Sequence, residues 1–289
     1  MRSWQALIAR QFFTRVYPFR RGHGRILTRT WLGKLDLGSE PLTTTALEGF
    51  RIDVYPNDLI GRHILLTGQF DRTVVEVLCR FAQVGDTLLD IGANIGYVSC
   101  CFLARVPDSR VVAIEPLPAC YALLESNLAR FPGRGVALQV AVSDSPGIAH
   151  LVVNARNLGG SHLEETAGNG ECVLCVETYT PTRCLEATST TRVNLIKVDV
   201  EGHEIRVVPA LHDVLVSHRP RAVVFEHHAT LEAGSPVAHA LSSTGYEIFA
   251  IVTHLTRYEL RRAFACAVPT RVSDYVAVYH KEMPRFGLS

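Results

Sequence analysis

The segment Leu88-Leu89-Asp90-Ile91-Gly92-Ala93-Asn94-Ile95-Gly96-Tyr97 decides how the rest of the chain is read. It begins within a short apolar run, Thr87 to Ile91, of a length that suits a buried strand. Gly92 and Gly96 then permit a tight turn and a close approach of backbone to a ligand. Residues 97–104 continue with a helical pattern. The next apolar run, Val111 to Ile114, ends in Glu115, 25 residues after Asp90. Strand, glycine turn, helix and a second strand ending in an acid open a nucleotide-binding α/β unit. An acid in that place accepts both hydroxyls of a ribose.

The same alternation continues outward. Further strands are expected at 50–55, 136–142, 193–198, 221–225, 246–251 and 273–279. Helices are expected at 71–82, 117–130, 202–216 and 236–244. Strands alternating with helices imply a Rossmann-like α/β fold, a seven-stranded, mostly parallel sheet with helices on both faces. Residues 148–153 and 172–177 break the rhythm as a hairpin insertion, with a glycine-bearing loop, 154–171, between them. Residues 1–57 read as a basic extension with a short strand, and 58–289 as the main domain.

Composition narrows the classes. The chain has 289 residues, 47% apolar and 20% charged, so disorder and coiled coil are excluded. No run of 18 apolar residues exists, so no spanning helix is expected. The net charge of +1 conceals an asymmetry. Residues 1–35 hold Arg2, Arg10, Arg15, Arg20, Arg21, Arg25, Arg29 and Lys34 and no acid; the remainder carries an excess of seven acids. An acidic body disfavours a phosphate-tracking groove, so no nucleic-acid partner is expected. Trp4, Ile8, Phe12 and Val16 are four apart and suggest a helix in the leader. That helix reads as an extension packed on the domain, with a membrane-surface arm or a transit peptide as the alternatives. The first residues lack an apolar secretory core, so reduced thiols and a cytoplasmic, possibly membrane-associated, chain are expected. Cys172 and Cys175 form a lone CxxC with no second pair for zinc.

Two cofactors suit the glycine turn. A dinucleotide needs a glycine where Asn94 stands, and Asp90 would repel its pyrophosphate. S-adenosylmethionine carries cations that a strand-end carboxylate attracts, so it is preferred. A second acidic strand end follows in Lys197-Val198-Asp199-Val200-Glu201-Gly202-His203-Glu204, and Glu226 ends the strand after it. Ligands of open α/β sheets bind at such carboxyl ends.

Several stretches together resemble the FkbM-type S-adenosylmethionine-dependent methyltransferases. They are Gly68 to Asp71, 88–97, 112–118, 138–147, Asn157 to Ser161, 194–204 and 222–228. The resemblance spans about residues 58–228, and it departs at Arg183-Cys184-Leu185-Glu186, where the family often has Leu-Asp-Asp. It implies that Asp90, Gly92, Ala93, Asn94 and Gly96 line the methionine moiety and that Glu115 takes the ribose hydroxyls. It further implies Pro116 and Leu117 beside the adenine, Ser143 and Asp144 near its amine, and Phe70 and Asp71 closing the pocket. The implied acceptor is a hydroxyl of a sugar, glycolipid or polyketide-type natural product.

A hydroxyl acceptor must lose its proton as the new bond forms, which calls for a base. Glu201 and Asp199 are the first candidates and His203 the next, with Glu226 and His228 nearby; each also has a structural reading. Asn157, Ser161 and His162 offer polar contacts from the loop, which reads as an acceptor gate. No metal is expected, because these acids and histidines form no recognised ligand spacing. The basic leader suggests a lipid-linked or acidic acceptor. The competing readings are a dinucleotide-dependent oxidoreductase, a non-catalytic methyltransferase-like scaffold and a nucleic-acid methyltransferase. The last usually shows an Asn/Asp-Pro-Pro-aromatic motif, where this chain has Asp199-Val200-Glu201-Gly202.

Overall fold

The computed structural model describes residues 4–17, 26–27, 29–154, 157–164, 172–265 and 272–288. Arg2, Arg20, Arg21, Arg25, Cys266 and the loop residues 165–171 lie outside that set.

The described elements begin with α1 (Trp4–Gln11), β1 (Leu42–Thr45), β2 (Arg51–Val54), α2 (Leu59–Thr67) and α3 (Arg72–Phe81). Then follow β3 (Thr87–Ile91), α4 (Tyr97–Arg105), β4 (Arg110–Ile114), α5 (Pro118–Leu128), β5 (Gly135–Leu138) and β6 (Ala141–Val142). The insertion supplies β7 (Gly147–Val152), β8 (His162–Glu164) and β9 (Val173–Tyr179). The chain continues through α6 (Pro181–Ala187), β10 (Leu195–Val198), α7 (Glu204–Ala210), α8 (His212–His218), β11 (Ala222–Glu226) and α9 (Pro236–Ser243). It closes with β12 (Tyr246–Thr253), β13 (Tyr258–Arg262) and β14 (Asp274–Tyr279).

The main sheet has eight strands rather than seven, in the order β13-β12-β14-β11-β10-β3-β4-β5. The five from β11 to β5 pair in parallel, whereas β14 pairs antiparallel with β11 and β12, and β13 antiparallel with β12. The extra strand is β13, whose half-exposed Tyr-Glu-Leu-Arg-Arg sequence has too little apolar signal to stand out. Alternate residues of the central strands feed two separate cores. Leu88, Val111 and Leu195 belong to one; Leu89, Val112 and Ile196 belong to the other. A period of two with both faces covered explains why these strands read as continuous apolar runs.

Two expected elements differ and one helix is additional. Residues 136–142 do not form one strand: β5 joins the main sheet and β6 joins a four-stranded sheet, β6-β9-β7-β8, built by the insertion. Residues 202–216 divide into α7 and α8 at Leu211, just after Pro209, which has no amide to give to the Ile205 carbonyl in the last turn of α7. Helix α2 was not foreseen; Asp58 caps it by accepting from the amides of Ile60 and Gly61.

The leader packs on the domain over its described part. Ala9 and Phe13 are buried with Leu27, Leu32 and Leu66. The guanidinium of Arg10 donates to the Leu65 carbonyl at 3.0 Å, to Thr44 Oγ1 at 3.2 Å and to the Thr45 carbonyl. A basic residue on the last carbonyls of a helix is favourable. No helix among the described residues is long and apolar enough to cross a membrane.

Candidate functional site

The chain runs β3, β4, β5 outward in one direction and returns to β10 on the other side of β3. The crevice at that reversal, beyond the carboxyl ends of the strands, is where such sheets hold ligands. It contains a cavity of about 270 Å³. Glu115 marks one end, after β4, and Glu226 the other, at the end of β11. Three strand spacings separate those positions, roughly 14 Å.

Gly92 holds the turn together. Its amide and that of Ala93 donate to the Ile114 carbonyl at 3.0 and 2.9 Å. Its φ is +75°, and a Cβ there would lie 1.7 Å from the Asp199 carbonyl oxygen. The glycine is therefore required by the closeness of two strand ends, ahead of any ligand. Gly96 starts α4 at φ +82° against Leu124. Asn94, with φ +50°, fills the turn between them.

Glu115 is buried at the first end. Its Oε2 accepts from Asn94 N and its Oε1 from Leu117 N, both at 2.9 Å. Burial raises its pKa to about 7 against the lowering pull of those two amides. Each carboxylate oxygen keeps a lone pair toward the cavity, which is what two ribose hydroxyls require. Pro116, Ile114 and Val140 to Val142 form an apolar wall beside it, suited to a purine ring. Across the cavity the Oδ1 of Asn157 is enclosed without a hydrogen-bond partner among the described residues. An orphaned acceptor of that kind awaits a donor from a ligand.

The second end is acidic. Asp199, Glu201 and Glu226 each bring an oxygen within 4.8 Å of the others. Burial and then the charge of Asp199 push Glu226 well above the usual carboxylate range. The same two causes, in the same order, raise Glu201. Asp71 faces this group, and burial followed by the Asp199 charge takes it to about 8. His228 bridges the set, with Nε2 at 3.2 Å from Glu201 Oε2 and Nδ1 at 3.5 Å from Glu226 Oε1. Asp71 and Glu201 adopt φ of +42° and +50°. Non-glycine residues held in that region cost about 1–3 kcal/mol each and cluster at functional sites.

Lys197 connects the two ends. It is buried, donating to the Gly92 carbonyl at 2.8 Å, and its Nζ lies 3.3 Å from both Asp90 Oδ1 and Asp199 Oδ2. Burial works against its charge, but Asp90 and Asp199 outweigh it and its pKa is raised. Sequence reasoning missed this residue as part of the site. The available signal was a lysine set inside the apolar run Asn194-Leu-Ile-Lys-Val198. Tyr97, which also lines the cavity, was missed as well.

Most of the expected residues converge. Phe70, Asp71, Gly92, Ala93, Asn94 and Glu115 line the cavity, as do Pro116, Asn157, Ser161, His162, Asp199, Glu201 and Glu226. Others stand elsewhere. Asp90 is fully buried beneath the turn, accepting from Ser99 Oγ at 2.6 Å, and does not line the cavity. Gly96 and Leu117 also lie outside the lining. Ser143 and Asp144 turn away from it, the first bonded to His203 Nε2 at 3.0 Å and the second to Arg206 at 3.0 Å. His203 does not line the cavity; it stands just before α7 with its ring on the Ser143 turn. His228 is at the rim, reaching the site through Glu201 and Glu226. The departing segment 183–186 lies on α6 and lines none of the cavity.

The loop is anchored over its described part. Leu158 N donates to Asp58 Oδ1 at 2.8 Å, and a Cβ on Gly159 would meet Ile60 at 2.5 Å. Gly159 thus serves close packing on α2 rather than hinge motion. Ser161 Oγ accepts from Asn154 N at 3.1 Å, which ties the two sides of the loop together.

The chain matches known proteins over more than half of its length. A family model described as the methyltransferase FkbM domain matches residues 90–248. The chain is 29% identical over 162 residues to the hexuronic acid methyltransferase AglP of Haloferax volcanii, across 56% of this chain and 64% of that protein. It thus spans just under two thirds of that relative. It is 31% identical over 194 residues to the 31-O-demethyl-FK506 methyltransferase FkbM of Streptomyces tacrolimicus, across 57% of this chain and 74% of that one. Among solved structures, the O-methyltransferase from Bacillus cereus in complex with SAH superposes with a TM-score of 0.41 at 13% identity, covering 73% of this chain and 82% of that one.

Proposed function

The chain belongs to the FkbM methyltransferase family, and from that premise we propose that it methylates a hydroxyl oxygen of a sugar, glycolipid or polyketide-type natural product. Its cofactor is S-adenosylmethionine, which when bound supplies an electrophilic methyl group on a sulfonium. The residues present fit that group: Glu115 has free acceptor capacity for a ribose and the wall of Val140 to Val142 suits an adenine. Asn157 Oδ1 offers an unmet acceptor.

The observation that carries the oxygen-acceptor reading is the meeting of Asp199, Glu201 and Glu226 at the far end. Methyl displacement needs in-line placement of the acceptor, which a rigid strand-end site provides. In this reading Glu226 holds a proton at neutral pH and orients the acceptor oxygen by donating to it. Glu201, raised by burial and Asp199 but paired with His228, takes the acceptor proton. A base of raised pKa accepts a proton more readily. His228 is the exit to solvent. The acceptor's small-molecule or glycan nature and the absence of a nucleic-acid partner belong to the same proposal, as does a cytoplasmic location.

The test is incubation with cofactor and panels of sugars, glycolipids and polyketides, read by mass. Gain of one methyl mass on a hydroxyl is the expected product. Methylation only of nitrogen or of a nucleic acid would replace the proposal.

Two further outcomes are expected. Glu115→Ala should weaken S-adenosylhomocysteine binding by about 10- to 100-fold, the worth of one or two hydrogen bonds to a charged group. Calorimetric titration of both proteins reads it directly. The three acids could also bridge a divalent ion. A proton on Glu226 and the Lys197 ammonium beside Asp199 lower their charge without one. Dialysis against a chelator should leave turnover within about twofold. Loss of turnover restored by magnesium would make the acids metal ligands.

A further inference from the structure

The leader has two faces of opposite character. Ala9 and Phe13 are buried in a small core with Leu32 and Leu66, whereas Ile8, Phe12 and Val16 are exposed. Ile8 is 53% exposed, Phe12 39%, Val16 65% and Trp31, next to buried Leu32, 55%. These four make up a large share of the exposed bulky apolar side chains among the described residues, yet they fall within a stretch of 24 residues. Arg15, Arg29 and Lys34 are exposed in the same stretch. Residues 1–35 hold eight cations and no acid.

We infer that the exposed side of the leader helix, carrying Ile8, Phe12 and Val16 together with Trp31, is a docking surface for an anionic lipid bilayer. A tryptophan, a phenylalanine and aliphatic groups on a segment whose described exposed charges, Arg15, Arg29 and Lys34, are all cationic match the chemistry of an interface between headgroups and acyl chains. A bilayer of anionic lipid supplies both the apolar layer and the countercharge. Arg10 is not one of the lipid cations, because its guanidinium is committed to the carbonyls of Leu65 and Thr45. That commitment fixes the surface to the catalytic domain. Helix α2 takes Arg10 on its C-terminal carbonyls, while Leu59 and Ile60 at its other end line the cavity. A nine-residue helix is about 13 Å long, which is the separation along α2 between the anchored leader and the cavity-lining Leu59 and Ile60. An amphiphilic acceptor would then be met where it resides.

The experiment is co-sedimentation of the full chain with vesicles of phosphatidylcholine, with and without about one third phosphatidylserine. It reads binding alone, so it is independent of the acceptor proposed above. Binding is expected to be at least about tenfold stronger to the phosphatidylserine vesicles and to weaken as salt rises. Ile8→Glu with Val16→Glu should lower it by about tenfold or more, with a melting temperature changed by no more than a few degrees, because both side chains are more than half exposed. Equal binding to neutral and anionic vesicles, or unaltered binding by the double variant, overturns the inference. So does a dimer in light scattering that the double variant dissociates, with no vesicle binding, since a second copy would then cover the surface.

Discussion

Glu201→Gln is expected to lower kcat by about 10²- to 10⁴-fold, the usual worth of a general base. The substitution keeps the shape of the side chain and removes only its basicity. Glu201 sits at φ +50° with Gly202 at +95° behind it, a turn that presents the carboxylate to the cavity. Binding of S-adenosylhomocysteine should be unchanged, because Glu115 stands at the other end of the cavity. The pH profile gives a second readout. A base acts deprotonated, so turnover of the parent should fall as pH drops through the pKa of the acidic cluster. That pKa lies above the usual glutamate range, since burial and the Asp199 charge both raise Glu201. The profile reports the cluster as a whole, because its members titrate together. In the variant the acid limb should flatten. Near-normal turnover would move the proton to Asp199 or to no base at all.

Lys197→Met is expected to destabilise the fold by about 3–5 kcal/mol, the cost of leaving buried charge without its partner. Asp90 is completely buried and Asp199 mostly so, and both lie 3.3 Å from the ammonium. The ammonium also satisfies the Gly92 carbonyl at 2.8 Å. Methionine fills the volume but returns none of these interactions. A fall in melting temperature of about 10 °C is the matching readout for a chain of this size. Scanning calorimetry of the two proteins at one pH measures it. A loss under about 1 kcal/mol would show that water or a shifted proton compensates the acids.

Both expectations rest on features that differ in how plainly the sequence displays them. The parallel strands were legible because burial on both faces leaves uninterrupted apolar runs such as Thr87 to Ile91 and Leu195 to Val198. The glycine turn was legible through Gly92, although its steric cause, the Asp199 carbonyl, comes from a strand more than 100 residues away. Glu115, expected at the cavity from its position at a strand end, lines it, whereas Asp90, expected there in the same way, is buried beneath the turn. Strand alternation does not say whether a terminal acid faces the crevice or the core, and here Ser99 and Lys197 draw it inward. His203, two residues after Glu201, precedes α7 and is bonded to Ser143, a placement that depends on where the strand end gives way to helix. The convergence of Glu226 with Asp199 and Glu201 could be suspected from strand ends. Its closeness depends on β10 and β11 being neighbours in the sheet. Helix α2 escaped notice because its run from Leu59 to Thr67 is short and buried on most sides.

The most direct test of the account is calorimetric titration of the full chain with S-adenosylhomocysteine, with NAD in a parallel cell and Glu115→Ala as the second protein. One site of about micromolar affinity for S-adenosylhomocysteine is expected, weakened at least tenfold by the substitution, with no heat for NAD. Binding of NAD in preference, or S-adenosylhomocysteine affinity untouched by Glu115→Ala, would contradict it. The roles assigned to the acidic end would then lose the cofactor they are built around.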